Sequence, residues 1–291
     1  MTKRFANPAA FKKSLEARIR TLAEQRNIPT NTLRLKLGIE RLLARLFAMA
    51  HPPWVLKGGY AMELRYRPRA RTTRDIDLTC AAVGDMRFQT RLRLVRDQLQ
   101  AAAEADLGDF LIFRIEEPKA ELAGAPLGGA RFPCEAFLAG KTYGRFHIDL
   151  GFGDEVGEDP DVLSGEDMLG FAGIPPISVL AIPTSQQFAE KIHAYSRPWD
   201  DRINMRTKDL VDLVLLIETA SVEHAKINAA VHATFTRRNT HPIPTVLLDP
   251  PVEWAEEFSA LATEADLHAR QLGAAMEVLR GFWEKVISVN P

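Results

Sequence analysis

Two carboxylates one residue apart, Asp75 and Asp77, stand at the head of the apolar run D-I-D-L-T-C, just after five arginines, Arg65, Arg67, Arg69, Arg71 and Arg74. In a strand, residues i and i+2 share a face about 6.6 Å apart along the chain. Asp75 and Asp77 therefore project together, while Ile76 and Leu78 turn the other way into a core. Carboxylates so placed repel, and the sequence offers no partner for them on the same face. Hard divalent cations remove such repulsion, and Mg²⁺ is held by one or two carboxylates with waters and substrate phosphates. A third acid in an apolar strand of its own, Asp149 in R-F-H-I-D-L, would complete a two-metal site that aligns an attacking oxygen and a leaving phosphate.

A Gly58-Gly59 pair gives these acids a setting. A short strand over 54–57 that breaks at two glycines and opens a helix over 60–66 lets the backbone approach closely. Its N–H groups then point at a negative ligand. A phosphate cradle next to a D-x-D strand is an arrangement for holding a nucleoside triphosphate with Mg²⁺. Taken singly these signals are weak: a lone D-x-D is common, a lone Gly-Gly is usually a turn, and an arginine-rich stretch is usually a solvated face. Their joint order and spacing are far more specific.

The rest of the chain fixes the organisation. Its 291 residues suffice for one large domain or two ordinary ones. With 46% hydrophobic and 26% charged residues it reads as globular, and a net charge of −1 means that any polyanion site is a local patch. Two cysteines, Cys80 and Cys134, are too few for a disulfide framework and read as buried free thiols in a reducing cytoplasm. There is no secretory h-region and no apolar run of membrane-spanning length, so the expected location is cytoplasmic, with no membrane partner. Apolar spacing predicts two N-terminal helices, the first with Asn7 as cap and Pro8 at its start. It predicts strands over 75–80, 110–115, 131–137 and 145–150, with a helix from Phe88. After Pro175-Pro176 strand signals are expected to cease, giving way to helices over 184–195, 206–218, 222–236 and 263–288. The expected fold is mixed α/β (α+β), with residues 1–180 a core behind a helical preface and 181–291 a helical C-terminal domain.

The stretch V-L-K-G-G-Y-A-M-E-L-R-Y-R-P-R-A-R-T-T-R-D-I-D-L resembles the nucleotidyltransferase motif of the AbiEii family of bacterial toxins, MenT-type members included. Leu56, Lys57, Gly58, Gly59, Arg71, Thr73, Asp75 and Asp77 match its pattern. A second motif, a helix with a lysine followed by a helix containing D-L-V-D-L, matches Q-F-A-E-K with Lys191 and R-T-K-D-L-V-D-L with Asp212. The resemblance covers most of the chain. It implies a DNA polymerase β-like nucleotidyltransferase core with a mixed sheet, closed by a helical domain. It implies that Asp75, Asp77 and Asp149 hold two Mg²⁺ ions, that Lys191 reaches the triphosphate, and that Thr73 lies close to the phosphates. Lys57, Gly58, Gly59 and Arg71 join Thr73 and Lys191 as nucleotide-binding residues. Asp212 is a further family acid that either fixes a basic residue or reads the base. Asp209 reads as a capping or ion-pairing acid outside the site. Tyr60 stands where the family has Ser or Thr, which removes one phosphate-binding hydroxyl.

The resemblance also implies a toxin with a cognate antitoxin, transferring NMP from an NTP to the 3′ end of tRNA and blocking aminoacylation. The arginines beside the acids, with Lys12, Lys13, Arg18 and Arg20 on the first helix, would form a basic rim for RNA, although ordinary surface charge is the default for those on the first helix. Two other readings stand beside this one. A transferase of the same fold can act on a small molecule or a protein, and a deep acidic acceptor pocket would favour it. A non-catalytic nucleotide or RNA binder has no need of three mutually repelling acids.

Overall fold

The computed structural model describes residues 5–80, 86–122, 124–154, 156, 159–198, 204–221 and 223–289. In chain order the elements are α1 (Pro8–Arg26), α2 (Thr30–Leu46), β1 (Trp54–Lys57), α3 (Gly58–Tyr66), β2 (Asp75–Cys80), α4 (Phe88–Ala103), β3 (Leu111–Ile115), β4 (Ala120–Glu121), β5 (Gly129–Leu138), β6 (Lys141–Phe152), β7 (Asp161–Ser164) and β8 (Ser178–Ala181). Then come α5 (Thr184–Ser196), α6 (Thr207–Thr219), α7 (His224–Arg238), α8 (Trp254–Glu264) and α9 (Leu272–Ile287). The chain forms two compact units. One comprises Met1–Leu56, Arg74–Gly153 and Val162–Ala181, the other Lys57–Thr73, Asp154–Asp161 and Ile182–Pro291.

The first unit is built on a mixed sheet, as the sequence leads one to expect. Among the described residues its strand order is β3-β5-β6-β2-β1-β8-β7, with β4 on β5. β2 runs parallel to β6, β1 runs parallel to β8, and β5 is antiparallel to both β3 and β6. Helices α2 and α4 pack on the sheet and on each other, and α1 packs on α2. Alternation along β2 and β6 buries Ile76, Leu78, Ile148 and Leu150 and leaves Asp75, Asp77, His147 and Asp149 half-buried. One face of these strands is thus core and the other polar. Asn7 caps α1, its side chain accepting from the Ala10 amide at 2.9 Å. Inside this unit Asp109 is fully buried, yet it is held by Arg41 at 2.6 Å and by both terminal nitrogens of Arg45 at 2.6 and 2.9 Å. Those bonds hold its carboxyl below the usual range although burial alone would raise it.

The second unit is helical. α6 carries Leu210, Val211, Leu213, Val214, Leu215 and Leu216, all buried, so its apolar surface goes nearly all the way round. Such a helix lies inside a bundle, and α5, α7, α8 and α9 supply the shell: Phe188, Ile192, Val231, Phe235, Phe258, Met276, Leu279 and Trp283 share its core.

Four features depart from the sequence reading. Strands do not cease after Pro175-Pro176, because β8 follows and pairs with β1 through Leu56 and Ala181. β4 and β7, of two and four residues, are too short to leave a periodic signal. The helix expected over 263–288 is α9 with only the last two residues of α8, a helix the sequence reading did not anticipate: Asp266 takes a left-handed conformation, φ 47°, and the Leu267 amide donates to Ala262 O. That closure ends α8 while keeping Leu267 buried, so the apolar stripe continues although the helix does not. Phe110 is likewise at φ 58°, so β3 begins one residue later than expected. Val222, the expected start of the helix observed as α7, lies outside the described residues. Cys80 and Cys134 are buried and free. Among the described residues no helix is long and apolar enough to cross a membrane.

Candidate active site

On the polar face of the sheet the parallel register sets Asp77 beside Asp149 and Asp75 beside His147. The antiparallel register sets Arg131 beside Asp149 from the other side. The three expected carboxylates are therefore carried on neighbouring strands and face one way. Arg131, which the sequence reading missed, grips Asp149 bidentately, Nε to Oδ1 at 2.7 Å and Nη2 to Oδ2 at 2.6 Å, and lies 3.9 Å from Asp75 Oδ2. Its pKa is raised, first by the hydrogen bond to Asp149 and then, against the opposing effect of burial, by the charges of Asp149, Asp75 and Asp77. His147 Nδ1 stands 3.3 Å from Asp75 Oδ1.

Among the described residues no group of three or more His, Cys, Asp or Glu side chains is gathered closely enough to hold a metal; Asp149 is turned onto Arg131 instead. The donor set nonetheless suits a hard cation. Three carboxylates share this half-buried face, and Arg131 answers part of their charge. Oxygen-only donors are those Mg²⁺ takes. No sequence signal marks Arg131, because its role comes from cross-strand register rather than from spacing along the chain.

The expected nucleotide-binding residues are arranged within the helical unit. Gly58 has φ 65°, a conformation glycine adopts without steric cost. It starts α3, whose N-terminus has no side-chain cap, and its carbonyl accepts from Gln187 Nε2 at 2.8 Å. At Gly59 a Cβ would meet Thr73 Oγ1 at 2.6 Å and Arg71 Nη2 at 3.1 Å. Only a glycine lets those two side chains lie against the helix start. Thr73 is fixed by its amide, which donates to Glu63 Oε2 at 3.0 Å. Tyr60 is fully buried, so the residue that replaces the family's Ser or Thr serves packing.

Lys191, on α5, and Asp212, on α6, are both buried and meet at 2.6 Å. Asp209 accepts from Lys191 at 3.1 Å and Arg71 reaches Asp212 at 3.1 Å. Burial would lower the pKa of Lys191, but Asp212 and Asp209 outweigh it and hold the ammonium charged. Asp209 thus belongs to the cluster from which the sequence reading excluded it. The signal was present, since residues three apart on a helix share a face. Asp212 fixes basic residues, one of the two roles the resemblance left open, while its Oδ1 is buried without a hydrogen-bond partner.

Lys57, expected among the nucleotide-binding residues, lies in an ion-pair cluster. It pairs with Asp154, which is also bound by Arg238 at 2.8 Å, and Glu190 lies 3.5 Å from Lys57 and 3.4 Å from Arg238. Lys57 is therefore spent on an internal four-charge cluster. The arginine rim is corrected in the same way. Arg65 binds Asp161 at 2.5 Å and the Ile182 carbonyl, Arg67 donates to the Glu63 carbonyl, and Arg69 binds Glu218 at 2.7 Å and the Asp266 carbonyl. With Arg71 on Asp212, four of the five tie their own unit together. The reason is that α3 and the segment after it belong to the helical unit, where buried acids claim these side chains.

Comparison with known proteins agrees with the motifs. The family model described as nucleotidyl transferase AbiEii toxin, type IV TA system, matches residues 41–285. The solved structure of MenT4, a nucleotidyltransferase toxin from Mycobacterium tuberculosis H37Rv, is similar with a TM-score of 0.60, covering 94% of this chain and 90% of that one at 13% identity. At such low identity the likeness is one of fold. No curated protein matches the sequence. The matched span includes the Gly-Gly and D-x-D motif, Asp149, Lys191 and Asp212, and on that ground the chain belongs to the AbiEii family, the nucleotidyltransferase toxins of type IV toxin–antitoxin systems.

Proposed function

We propose that the protein moves a nucleoside monophosphate from an NTP, in a Mg²⁺-dependent reaction that releases pyrophosphate, onto the 3′ end of tRNA. The modified tRNA is no longer aminoacylated, translation stops, and a cognate antitoxin opposes this. The observation that supports the reading best is the polar face on which neighbouring strands bring Asp75, Asp77 and Asp149 together. These three acids would hold Mg²⁺, which when bound lowers the pKa of the attacking hydroxyl and stabilises charge on the transferring phosphate.

The helical unit supplies the nucleotide-holding groups. The uncapped amides at the start of α3 favour an anion, Thr73 offers a hydroxyl, and Lys191 and Arg71 neutralise charge on the leaving pyrophosphate. Asp212 and Asp209 keep Lys191 protonated and limit its rotamers, so little side-chain entropy is lost when phosphate arrives. Lys57, the cap residue of α3, is held by Asp154 and Glu190 and acts as a positioning residue for the helix start. The choice of tRNA as acceptor rests on family kinship, since the arginines beside the acids are committed elsewhere; it also implies a cytoplasmic protein.

The test is incubation with Mg²⁺, total tRNA and each labelled NTP, with intact tRNA compared against tRNA whose 3′-terminal diol has been oxidised by periodate. Label on intact tRNA and none on the oxidised sample is the expected result. Label that persists on oxidised tRNA contradicts the 3′-end assignment, and label only on protein or on an added cationic small molecule replaces it with a different acceptor.

A further inference from the structure

Asp149 is the acid most enclosed by a neighbour. Both its oxygens are engaged by one planar guanidinium, Arg131 Nε on Oδ1 at 2.7 Å and Nη2 on Oδ2 at 2.6 Å. Those are the oxygens a divalent ion would need. A bidentate arginine–carboxylate pair is among the stronger charge-assisted contacts, so it competes with a metal rather than merely coexisting with it. Geometry does not lock it. Arg131 side-chain exposure is 39%, against 14% for Asp149, and both are carried by register rather than by a buried network. The same Nη2 stands 3.9 Å from Asp75 Oδ2, so one cation leans on two of the three acids. Elsewhere in this unit Arg41 and Arg45 of α2 hold Asp109 fully buried; that cluster is structural, and the contrast in exposure sets Arg131 apart.

We propose that Arg131 is an internal counter-cation that a divalent ion must displace from Asp149, and that it thereby sets the metal concentration at which the acid face becomes occupied. The arginine keeps weakly bound divalent ions off Asp149 until they compete successfully. Removing the guanidinium removes both the competitor and a positive charge beside the acids. This inference rests on the reading of Asp75, Asp77 and Asp149 as metal-holding residues.

The experiment uses the full chain without nucleotide and Mn²⁺ as a spin probe, with free Mn²⁺ read by electron paramagnetic resonance during titration. Arg131→Gln is expected to bind Mn²⁺ about tenfold more tightly than the native chain. Arg131→Lys, which keeps the charge but not the fork, is expected to fall between them, and it carries the test if Arg131→Gln does not fold. Asp77→Asn is the reference for lost binding. Native binding that exceeds this reference, with folded Arg131 variants no tighter than native, overturns the displacement and leaves the metal reading intact. Mn²⁺ uptake in the native and Arg131→Gln chains no greater than in Asp77→Asn overturns the metal reading and the inference together.

Discussion

The molecule handles charge in two ways. On the sheet, Asp75, Asp77 and Asp149 are half-buried, and the guanidinium of Arg131 grips Asp149 and lies near Asp75. In the helical unit, Lys191, Arg71 and Arg206 pair with Asp212 and Asp209, and Lys57 and Arg238 pair with Asp154 and Glu190. Burial explains the difference. A carboxylate such as that of Asp154, with a wholly buried side chain, must be neutralised inside the fold; here Lys57 and Arg238 overcome the upward pull of burial and hold its pKa low. The sheet acids retain access to water and can leave part of their charge unmatched until a ligand supplies it. A charge excess is thus possible only where water can still screen it, and that is where an exchangeable cation can bind.

This contrast can be broken most forcefully at Lys191. Lys191→Ala should leave Asp212 buried against Arg71 alone, costing about 3 kcal/mol of stability in the helical unit and at least tenfold in transfer rate, about 1.4 kcal/mol of barrier. Denaturant unfolding with single-turnover kinetics checks both; unchanged stability would show that the cluster is not the paired buried set described. Gly59→Ala is expected to do less. Its Cβ would push Thr73 and Arg71 aside, costing about 1–3 kcal/mol and weakening NTP binding while transfer to tRNA at saturating NTP is largely kept. Equal NTP affinity in the two forms would remove the start of α3 from the nucleotide site.

The smallest effect concerns His193, which is buried against Phe235 and bonded to Thr240 Oγ1 at 2.9 Å. Burial first, then Arg238, pulls its pKa down to about 3. The unfolded chain binds a proton near pH 6.5 that the folded chain refuses. Its contribution to stability is therefore complete above pH 6.5 and is lost progressively as pH falls toward 3. Melting between pH 7.5 and 5 should show this loss, and His193→Asn should flatten the profile; an unaltered slope in the variant would assign the acid sensitivity elsewhere.

Much of the fold was legible because apolar periodicity reports burial directly. β2, β5, α5 and α6 lie within two residues of where their patterns put them, while β6 begins four residues before its expected start. What escaped was set by contacts between distant residues. β8 has only four residues, and its identity as a strand depends on its pairing with β1. The left-handed closure at Asp266 interrupts a stripe that keeps its apolar period. Among site residues, Asp75 and Asp77 declare themselves by mutual repulsion within one strand, and Asp209 by helical spacing from Asp212. Arg131 and His147 could not be read, because each acquires meaning only opposite its partner in the sheet. The arginines misled for the same reason, since their acidic partners, Asp161, Glu218 and Asp212, lie 96, 149 and 141 residues further on.

Transfer activity and thermal melting measured side by side on native protein and Asp77→Asn test the central claim most directly. The sheet acids are held to act in the chemistry and not in the fold. Label transfer from NTP to tRNA should therefore fall below detection, while the melting temperature stays the same or rises slightly as a repulsion is removed. Transfer retained at the native rate in a folded Asp77→Asn protein would contradict the account.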